Sequence, residues 1–384
     1  MKTKNVDLKK IRDEFPFTKN NIIFLNHASF GPIPQCTLKA KLEYLKYASL
    51  QKTQNIDQMC FDILDDTRKK AAKLINAKTE EIGYSFNTSY GLNFAVWGLD
   101  LKPDDKVLLS DVEFPANVYP WLNLKSKGVK IKLVPSKDRF FDIDKFKKSI
   151  DSKTKVLSLS YVQFLNGFKN DLEEIGKICE KKDIFFVVDA IQGIGNLNLD
   201  VRKLKIDFLS TGGAKWLLSG LGTGFFYYSK NAKKKLNPSF FGWMGVDWKV
   251  DFTDLLNFDL DPFEDARRFA TGSHPFENVI AMHTSLGFLL DIGIKKIERH
   301  NKKLLDILIN YLKDSTYKIK SDLSPRHRSS ILSFTCKNSK NLFEKLTQKK
   351  IISSYREKAI RVSPHFYNTE EEIEELIKIL KKNA

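Results

Sequence analysis

The chain has 384 residues, with 64 lysines and arginines against 47 aspartates and glutamates, which gives a net charge of +17. This length can bury a large core and predicts one large and one smaller domain. The four cysteines have no C-x-x-C or metal-type spacing, and no segment is long and apolar enough to cross a bilayer. These features argue against a disulfide scaffold, a metal site and a membrane protein, and they predict a cytoplasmic setting.

The positive charge is distributed along the chain in short lysine runs, such as residues 233–235 and 349–350. This pattern favours a solvated, lysine-rich surface and predicts neither a nucleic-acid partner nor a membrane partner. A polyanion-binding protein on a degenerate scaffold is the alternative outside the enzymes.

The first two distinctive segments lie in the amino-terminal quarter of the chain. Residues 1–19 form a basic arm with a short helix, and Phe24-Leu-Asn-His-Ala-Ser-Phe-Gly-Pro-Ile-Pro34 follows with Asn26 and His27. Thr88 and Ser89 then precede an apolar helical face formed by Leu92, Ala95, Val96 and Leu99. Both are ordinary helix caps, but the N–H groups at a helix start also bind phosphate.

A predicted strand at 106–109 is followed by a polar and aromatic loop at 110–121 that contains Phe114-Pro115. The proline restricts Phe114 to extended geometry and so fixes the direction of its side chain. A planar ring in this place can stack on an aromatic ligand or fill a core, and the loop alone is compatible with both functions.

The centre of the chain holds two short apolar runs, 184–188 and 206–209, that predict buried parallel strands. Each run ends in polar residues, at the edge where open α/β sheets bind their ligands. Asp189 and Gln192 follow the first run, and Ser210, Thr211 and Lys215 follow the second. An acid and a lysine on adjacent strand ends suit a pyridine ring that carries an aldehyde.

The carboxyl-terminal part predicts a different organisation. One long helical pattern covers 280–306 and beyond, strands are expected at 331–336 and 359–363, and a closing helix at 370–380. We predict a large domain at 20–270, in which a mostly parallel sheet is covered by helices, and a smaller α+β domain at 271–384. The fold class is therefore α/β.

Together these segments resemble the class V aminotransferases, a branch of the fold-type I pyridoxal phosphate enzymes. The block from Ile184 to Trp216 carries the lysine motif. The opening segment at 24–34 and the closing segment Ala359-Ile-Arg-Val-Ser-Pro-His-Phe-Tyr-Asn368 resemble those of isopenicillin N epimerase-like proteins, beside the cysteine desulfurase-like branch. The resemblance extends from about residue 22 to the end of the chain.

The resemblance implies a cofactor, pyridoxal 5′-phosphate, and a role for each matching residue. Lys215 would form the Schiff base and Asp189 would keep the ring nitrogen protonated. The other cofactor-binding residues would be Thr88, Ser89 and Ser273 at the phosphate, Phe114 on the ring face, and Gln192, Ser210 and Thr211 around the ring. Ser273 would act from the partner subunit, which implies a homodimer with shared active sites.

On the substrate side, the resemblance assigns the α-carboxylate of a small amino acid to Arg361, because a planar guanidinium binds carboxylate with two hydrogen bonds. Arg356, Asn26 and His27 are further candidates for the same pocket. The resemblance does not fix the reaction: transamination, epimerisation and β-elimination share all of these residues. We favour transamination, with carbon–sulfur β-elimination second.

The cysteines bear on one reaction within this group. Desulfurases of this class need a nucleophilic thiol on the loop between the two closing strands, and the segment 352–358 has none. Cys336 falls on a predicted strand and is expected to be a buried apolar residue. Persulfide transfer through a protein thiol is therefore disfavoured.

Overall fold

The computed structural model describes residues 8–50, 56–248, 256 and 258–383, and residues 1–7 of the basic arm lie outside them. The helices in the described part are α1 (Leu8–Asp13), α2 (Gln35–Ser49), α3 (Ile56–Ile75), α4 (Thr88–Gly98), α5 (Tyr119–Asn123), α6 (Ile143–Ser149), α7 (Leu172–Lys181), α8 (Lys230–Lys235), α9 (Phe276–Ile292), α10 (Ile294–Lys313), α11 (Ser339–Gln348) and α12 (Glu370–Lys381).

The strands of the same part are β1 (Ile23–Phe24), β2 (Ile82–Tyr84), β3 (Lys106–Ser110), β4 (Lys130–Val134), β5 (Thr154–Ser160), β6 (Phe185–Asp189), β7 (Phe208–Gly212), β8 (Gly224–Tyr228), β9 (Lys318–Ile319), β10 (Leu332–Thr335), β11 (Ile351–Ile352), β12 (Ser354–Arg356) and β13 (Ala359–Val362).

Seven strands form the central sheet, in the order β2-β8-β7-β6-β5-β3-β4. The strands from β7 to β4 are parallel, and β8 runs antiparallel to both of its neighbours. The predicted α/β class with a mostly parallel sheet is therefore confirmed. The predicted strands at 106–109, 184–188 and 206–209 correspond to β3, β6 and β7, with ends that differ by at most three residues.

The sheet is buried on both faces, which explains why its strands are continuous apolar runs. Alternate residues point to opposite faces of a strand. Phe186 and Val188 belong to one core cluster, and Phe185 and Val187 to the cluster on the other face. Helices on both sides complete these cores, as a parallel sheet requires.

The carboxyl ends of β3, β5, β6 and β7 lie at the same edge of the sheet. In the register of the neighbouring strands, Ser160 pairs with Asp189 and Asp189 pairs with Ser210. The loop after β3 and the turn after β7 leave from this edge. The polar strand ends noted in the sequence are thus brought together in space.

The long helix predicted from residue 280 is in fact two helices, α9 and α10. Gly293 separates them with φ of +91°, a value that side-chain-bearing residues rarely adopt. The apolar residues of α9 pack in the core below the large sheet, whereas most of those of α10 pack against α12 and the smaller sheet. The domain boundary at 271 stays a prediction.

The carboxyl-terminal part contains an antiparallel sheet in the order β12-β13-β10-β9. The predicted strands at 331–336 and 359–363 and the closing helix at 370–380 correspond to β10, β13 and α12. Thr369 and Glu372 form a capping box that begins α12.

The segment after α1 connects this smaller sheet with the site. β1 pairs with β11, and Asn26 bridges to Ser363. Five residues later, the Gly31 N–H donates to the Ala214 carbonyl at 2.8 Å, and a Cβ on Gly31 would stand 2.1 Å from the Lys215 carbonyl oxygen. Only glycine permits this close approach.

Within the described residues, no helix is both long and apolar enough to span a lipid bilayer.

Candidate functional site

Lys215 lies in the turn that follows β7 and is half-buried. Burial lowers the pKa of its amine to about 8, because desolvation disfavours the charged form. The negative charge of Asp189 opposes this shift, and the positive charges of Arg361 and Arg356 add to it. The amine is consequently a better proton acceptor near neutral pH than an ordinary lysine.

Asp189 is the last residue of β6 and is almost completely buried. One carboxylate oxygen, Oδ1, accepts a hydrogen bond from the Ile191 N–H at 3.0 Å. Burial is the main cause that raises the pKa of Asp189 to about 7; the charge of Glu113 also raises it, and that of Lys215 lowers it. A buried acid of this kind is stabilised in its charged form by a cationic partner.

Phe114 stands beside the lysine. The Lys215 Nζ lies 5.7 Å from the centroid of the Phe114 ring, and Phe164 meets that ring edge-on at 5.1 Å between centroids. The ring is 42% exposed although it is held in the extended geometry that Pro115 imposes. An exposed, oriented aromatic ring beside an amine is available for stacking on a planar ligand.

The side chains of Gln192 and Ser210 form hydrogen bonds within the protein. Gln192 donates to the Ala28 carbonyl at 2.9 Å and accepts from the Trp216 indole N–H at 3.0 Å. Ser210 donates to the Thr88 carbonyl at 3.0 Å. The hydrogen bonds of Gln192 and Ser210 tie the opening segment and α4 to the edge of the sheet. The contacts of these two residues and of the buried Thr211 with a cofactor stay predictions.

The start of α4 has the features of a phosphate site. Asn87 caps the helix by accepting from the Tyr90 N–H at 2.8 Å, so the sequence prediction of a helix start here is confirmed. The Thr88 hydroxyl is buried and has no hydrogen-bond partner among the described residues, while Ser89 is exposed. Gly212 faces Thr88, with its missing Cβ only 3.2 Å from the hydroxyl, which leaves space beside it. An unpaired buried hydroxyl at a helix N-terminus fits an anionic ligand.

Arg361 lies on β13 and is buried, with 2% of its surface exposed. Its guanidinium donates to Ser354 Oγ at 3.1 Å, to Ser29 Oγ at 2.9 Å and to the Phe164 carbonyl. No carboxylate pairs with it among the described residues, and burial lowers its pKa to about 10, with a further contribution from the charge of Arg356. A buried arginine without a counter-ion is suited to bind an anionic ligand.

Arg356 ends β12, opposite Ala359, and is exposed. Ser354 and Arg356 are two residues apart on this strand and therefore lie on the same face. Since Ser354 accepts from Arg361, the two arginines share that face, with Arg356 at its open end.

His27 and Asn26 lie behind the lysine turn. His27 is completely buried; its Nε2 lies 2.6 Å from the Tyr367 hydroxyl and its ring stacks on Trp216. His365 completes this cluster, and burial lowers the pKa values of both histidines. The Asn26 Oδ1 is buried and accepts no hydrogen bond within the part of the chain that the structure describes. A substrate contact of either residue stays a prediction. The His27 ring packs behind the lysine turn through its stack on Trp216, the residue after Lys215.

Ser273 is exposed, after the short 3₁₀ turn Ala266–Phe269. No hydrogen bond joins it to the residues around Lys215 in the described part of the single chain. Its predicted place in the site of a partner subunit stays a prediction.

The sequence analysis missed Glu113, which is buried beside Asp189 and accepts four hydrogen bonds. Its position directly before Phe114 was visible in the sequence. Its partners Ser160 and Gln163 come 47 and 50 residues later, and no local pattern connects them.

These residues fit pyridoxal phosphate in three places. The unpaired Thr88 hydroxyl at the start of α4 fits the phosphate, Asp189 fits a protonated ring nitrogen, and the Lys215 amine fits the aldehyde. In the described residues, no group of three or more histidine, cysteine, aspartate or glutamate side chains is arranged to hold a metal ion.

Comparisons with known proteins agree with this fit. The family model described as aminotransferase class V matches residues 23–376. A probable cysteine desulfurase of Methanothermobacter thermautotrophicus is 27% identical over 97% of both chains.

Among solved structures, a cysteine desulfurase from Thermococcus onnurineus superposes with a TM-score of 0.89 at 24% identity, covering 100% of this chain and 99% of the other. The cystine C–S lyase C-DES, at 21% identity, superposes with a TM-score of 0.88 as a variant with glycine covalently linked to its pyridoxal phosphate cofactor, covering 98% of this chain and 99% of the other. Its complex with cysteine persulfide gives a TM-score of 0.86, covering 95% of this chain and 98% of C-DES.

Replacing Asp189 tests the assigned electrostatics. Because the folded pKa lies above the ordinary value of 3.8, ionisation of Asp189 destabilises the cofactor-free protein progressively as pH rises towards about 7. Asp189→Asn should therefore raise the melting temperature of that form at pH 8, by about 2 °C. In the loaded enzyme it should slow exchange of the substrate α-proton by roughly 100-fold or more.

A matched control is Asp207→Asn, since Asp207 is another buried carboxyl with a raised pKa, at the opposite end of β7. This control should leave proton exchange nearly unchanged. Exchange that survives Asp189→Asn at the wild-type rate would show that the role given to Asp189 is wrong.

Proposed function

The chain belongs to the aminotransferase class V family and uses pyridoxal phosphate as its cofactor, and within this family we propose that it is a carbon–sulfur lyase that acts on a cysteine-type amino acid. The observation that carries this proposal is the hairpin β12–β13. It places Arg361 at the site and carries no thiol.

Two comparisons support cleavage of a carbon–sulfur bond. One relative is named a probable cysteine desulfurase, and a structural neighbour is named a cystine C–S lyase. Both names describe proteins that act on the sulfur of cysteine or cystine. These names shift our preference from transamination, favoured by sequence alone, to the lyase.

The short turn of the hairpin β12–β13 argues against persulfide transfer through a protein thiol. β12 and β13 are joined by the two residues Glu357 and Lys358, which have φ of +45° and +65°, as in a tight hairpin turn. A turn of two residues leaves no loop on which a thiol could reach Lys215.

None of the four cysteines replaces such a thiol. Cys60 and Cys179 are buried in helices, and Cys336 packs against the core of the smaller sheet. Cys36 is half-buried at the start of α2, and burial together with Glu14 raises the pKa of its thiol to about 11. The thiolate is the nucleophile, so Cys36 is unreactive at neutral pH.

The lyase reaction needs no protein thiol. The Cα–H and Cβ–S bonds of the substrate break, and the sulfur leaves with the electron pair of its bond and takes a proton. The remaining three-carbon fragment then reacts with water and gives pyruvate and ammonia. When bound, pyridoxal phosphate supplies the electron sink that stabilises negative charge at Cα.

The residues of this chain orient the substrate and move the protons. Arg361 binds the α-carboxylate through its guanidinium, which Ser29, Ser354 and the Phe164 carbonyl hold in place. The Lys215 amine, with its pKa lowered to about 8, accepts the α-proton. Asp189 holds the proton on the ring nitrogen, and the Phe114 ring covers one side of the site and limits the access of water.

Transamination and epimerisation use the same residues and remain the alternatives within the family. The proposal includes a homodimer in which Ser273 of one subunit completes the site of the other. The exposed position of Ser273 supports this part of the proposal. The cytoplasmic setting stays a prediction, which is based on the spacing of the four cysteines.

Product analysis distinguishes the lyase reaction from desulfuration and from transamination. The purified enzyme is incubated with L-cystine, L-cysteine and S-substituted cysteines. We expect pyruvate and ammonia in equal amounts with a released thiol or persulfide, and the double variant Cys36→Ser/Cys336→Ser should be as active as the wild type. Alanine as the main product would contradict the proposal in favour of desulfuration, and loss of the substrate amino group to the cofactor would contradict it in favour of transamination.

Replacing Arg361 should raise KM for all substrates, whereas replacing Arg356 should raise it for only some of them. Arg361→Gln should raise KM about 100-fold for every amino acid, because it removes the buried partner of the α-carboxylate. Arg356→Gln should raise KM about tenfold only for substrates with a second carboxylate, such as cystine, since Arg356 lies at the open end of the shared face. Equal effects of Arg356→Gln on S-methylcysteine and cystine would disprove its assignment to the distal carboxylate.

A further inference from the structure

Glu113 has the most complete hydrogen-bond environment of the carboxylates near the site. It is 8% exposed, and its two oxygens accept from the Ser160 N–H at 3.0 Å, the Gln163 amide at 2.8 Å, the Asn117 amide at 3.0 Å and the Ser160 hydroxyl. It makes no contact that would place it in the reaction itself.

Three of these four donors are N–H groups, which cannot accept a hydrogen bond. The environment is therefore built for a carboxylate, and these bonds oppose the effect of burial, which raises the pKa of Glu113. An ion held in this way fixes the positions of its donors, because releasing any of them would leave a buried charge undersatisfied.

The donors come from two loops at the carboxyl edge of the sheet. Asn117 belongs to the loop 113–117, in which Phe114 is the next residue after Glu113. Ser160 and Gln163 belong to the segment 160–164, in which Phe164 follows Gln163 directly. Glu113 is therefore the carboxylate that ties the two loops together.

Each loop presents one group to the site. The Phe114 ring stands 5.7 Å from the Lys215 Nζ, and the Phe164 carbonyl accepts from the Arg361 guanidinium. The two rings meet edge-on at 5.1 Å. Phe114 is nearly half exposed, so packing around the ring does not by itself hold it over the lysine.

We propose that Glu113 is a positioning residue that clamps the loops 113–117 and 160–164, so that Phe114 is held over the cofactor site and the Phe164 carbonyl is held against Arg361. The clamp couples the cofactor side of the site to the substrate side. It does not depend on which reaction the enzyme catalyses, so its test is independent of the lyase proposal.

A residue that only stabilises the core would behave differently. Its removal would weaken cofactor binding to the same extent whether or not Phe114 is present. A clamp that acts through Phe114 loses its effect when the ring is absent, and a double-mutant cycle measures this difference.

The cycle uses Glu113→Gln, Phe114→Ala and the double variant, with the dissociation constant of pyridoxal phosphate as the readout. Glu113→Gln keeps the shape of the side chain but replaces one acceptor oxygen with an NH₂ donor, which then faces the existing donors. We expect it to weaken cofactor binding about tenfold in the wild-type background and less than about twofold in the Phe114→Ala background. It should also raise KM for the amino acid through Arg361.

Two further variants keep the test decisive. Asp207→Asn, which removes a buried carboxylate at the opposite end of β7, should weaken binding equally in both backgrounds if it weakens it at all. Gln163→Met removes a single donor and leaves the charge of Glu113 in place. If Glu113→Gln does not fold, Gln163→Met should still show a penalty of about threefold that requires Phe114. A penalty of the same size with and without Phe114, or no penalty, would overturn the proposal.

Discussion

The site depends on the burial of a lysine and an aspartate at one edge of a parallel sheet. Neither side chain has its ordinary affinity for protons there: the pKa of Lys215 is lowered to about 8 and that of Asp189 is raised to about 7. Both shifts arise mainly from desolvation, which makes the charged forms costly in the absence of a ligand. A cofactor with a cationic ring nitrogen and an aldehyde satisfies both groups at once. The same environment thus destabilises the empty site and favours the loaded one.

Such a site requires rigid surroundings, and the opening segment provides them. Gly31 packs directly on the turn of Lys215, and His27 stacks on Trp216, the residue after the lysine. The same segment pairs with the smaller sheet through β1 and β11. The position of the lysine is thus coupled to the sheet that carries Arg361, so the cofactor side and the substrate side are fixed relative to one another.

The parts of this arrangement that could be predicted from sequence are those with local patterns. The apolar runs that became β6 and β7 predicted the position of Asp189 and Lys215, and the polar residues Thr88 and Ser89 predicted where α4 begins. The break at Gly293 was missed, because an apolar pattern continues across it and only the backbone conformation distinguishes the two helices. The clamp of Glu113 could not be predicted, since Ser160 and Gln163 lie 47 and 50 residues away in sequence and each partner is an ordinary polar residue. His27 was predicted as a substrate contact, and its buried bond to Tyr367 depends on a pairing across 340 residues.

We propose that Lys215 is the covalent attachment site of pyridoxal phosphate. The direct measurement is reduction of the cofactor-loaded protein with borohydride, followed by digestion and mass spectrometry of the peptides. The account predicts a pyridoxyl group on Lys215, at close to one per chain, and none in Lys215→Ala, although that variant still binds the cofactor reversibly. Lysine-rich surface segments such as 233–235 serve as internal controls for non-specific labelling. A modification scattered over surface lysines, or a Lys215→Ala variant labelled as fully as the wild type, would contradict the claim.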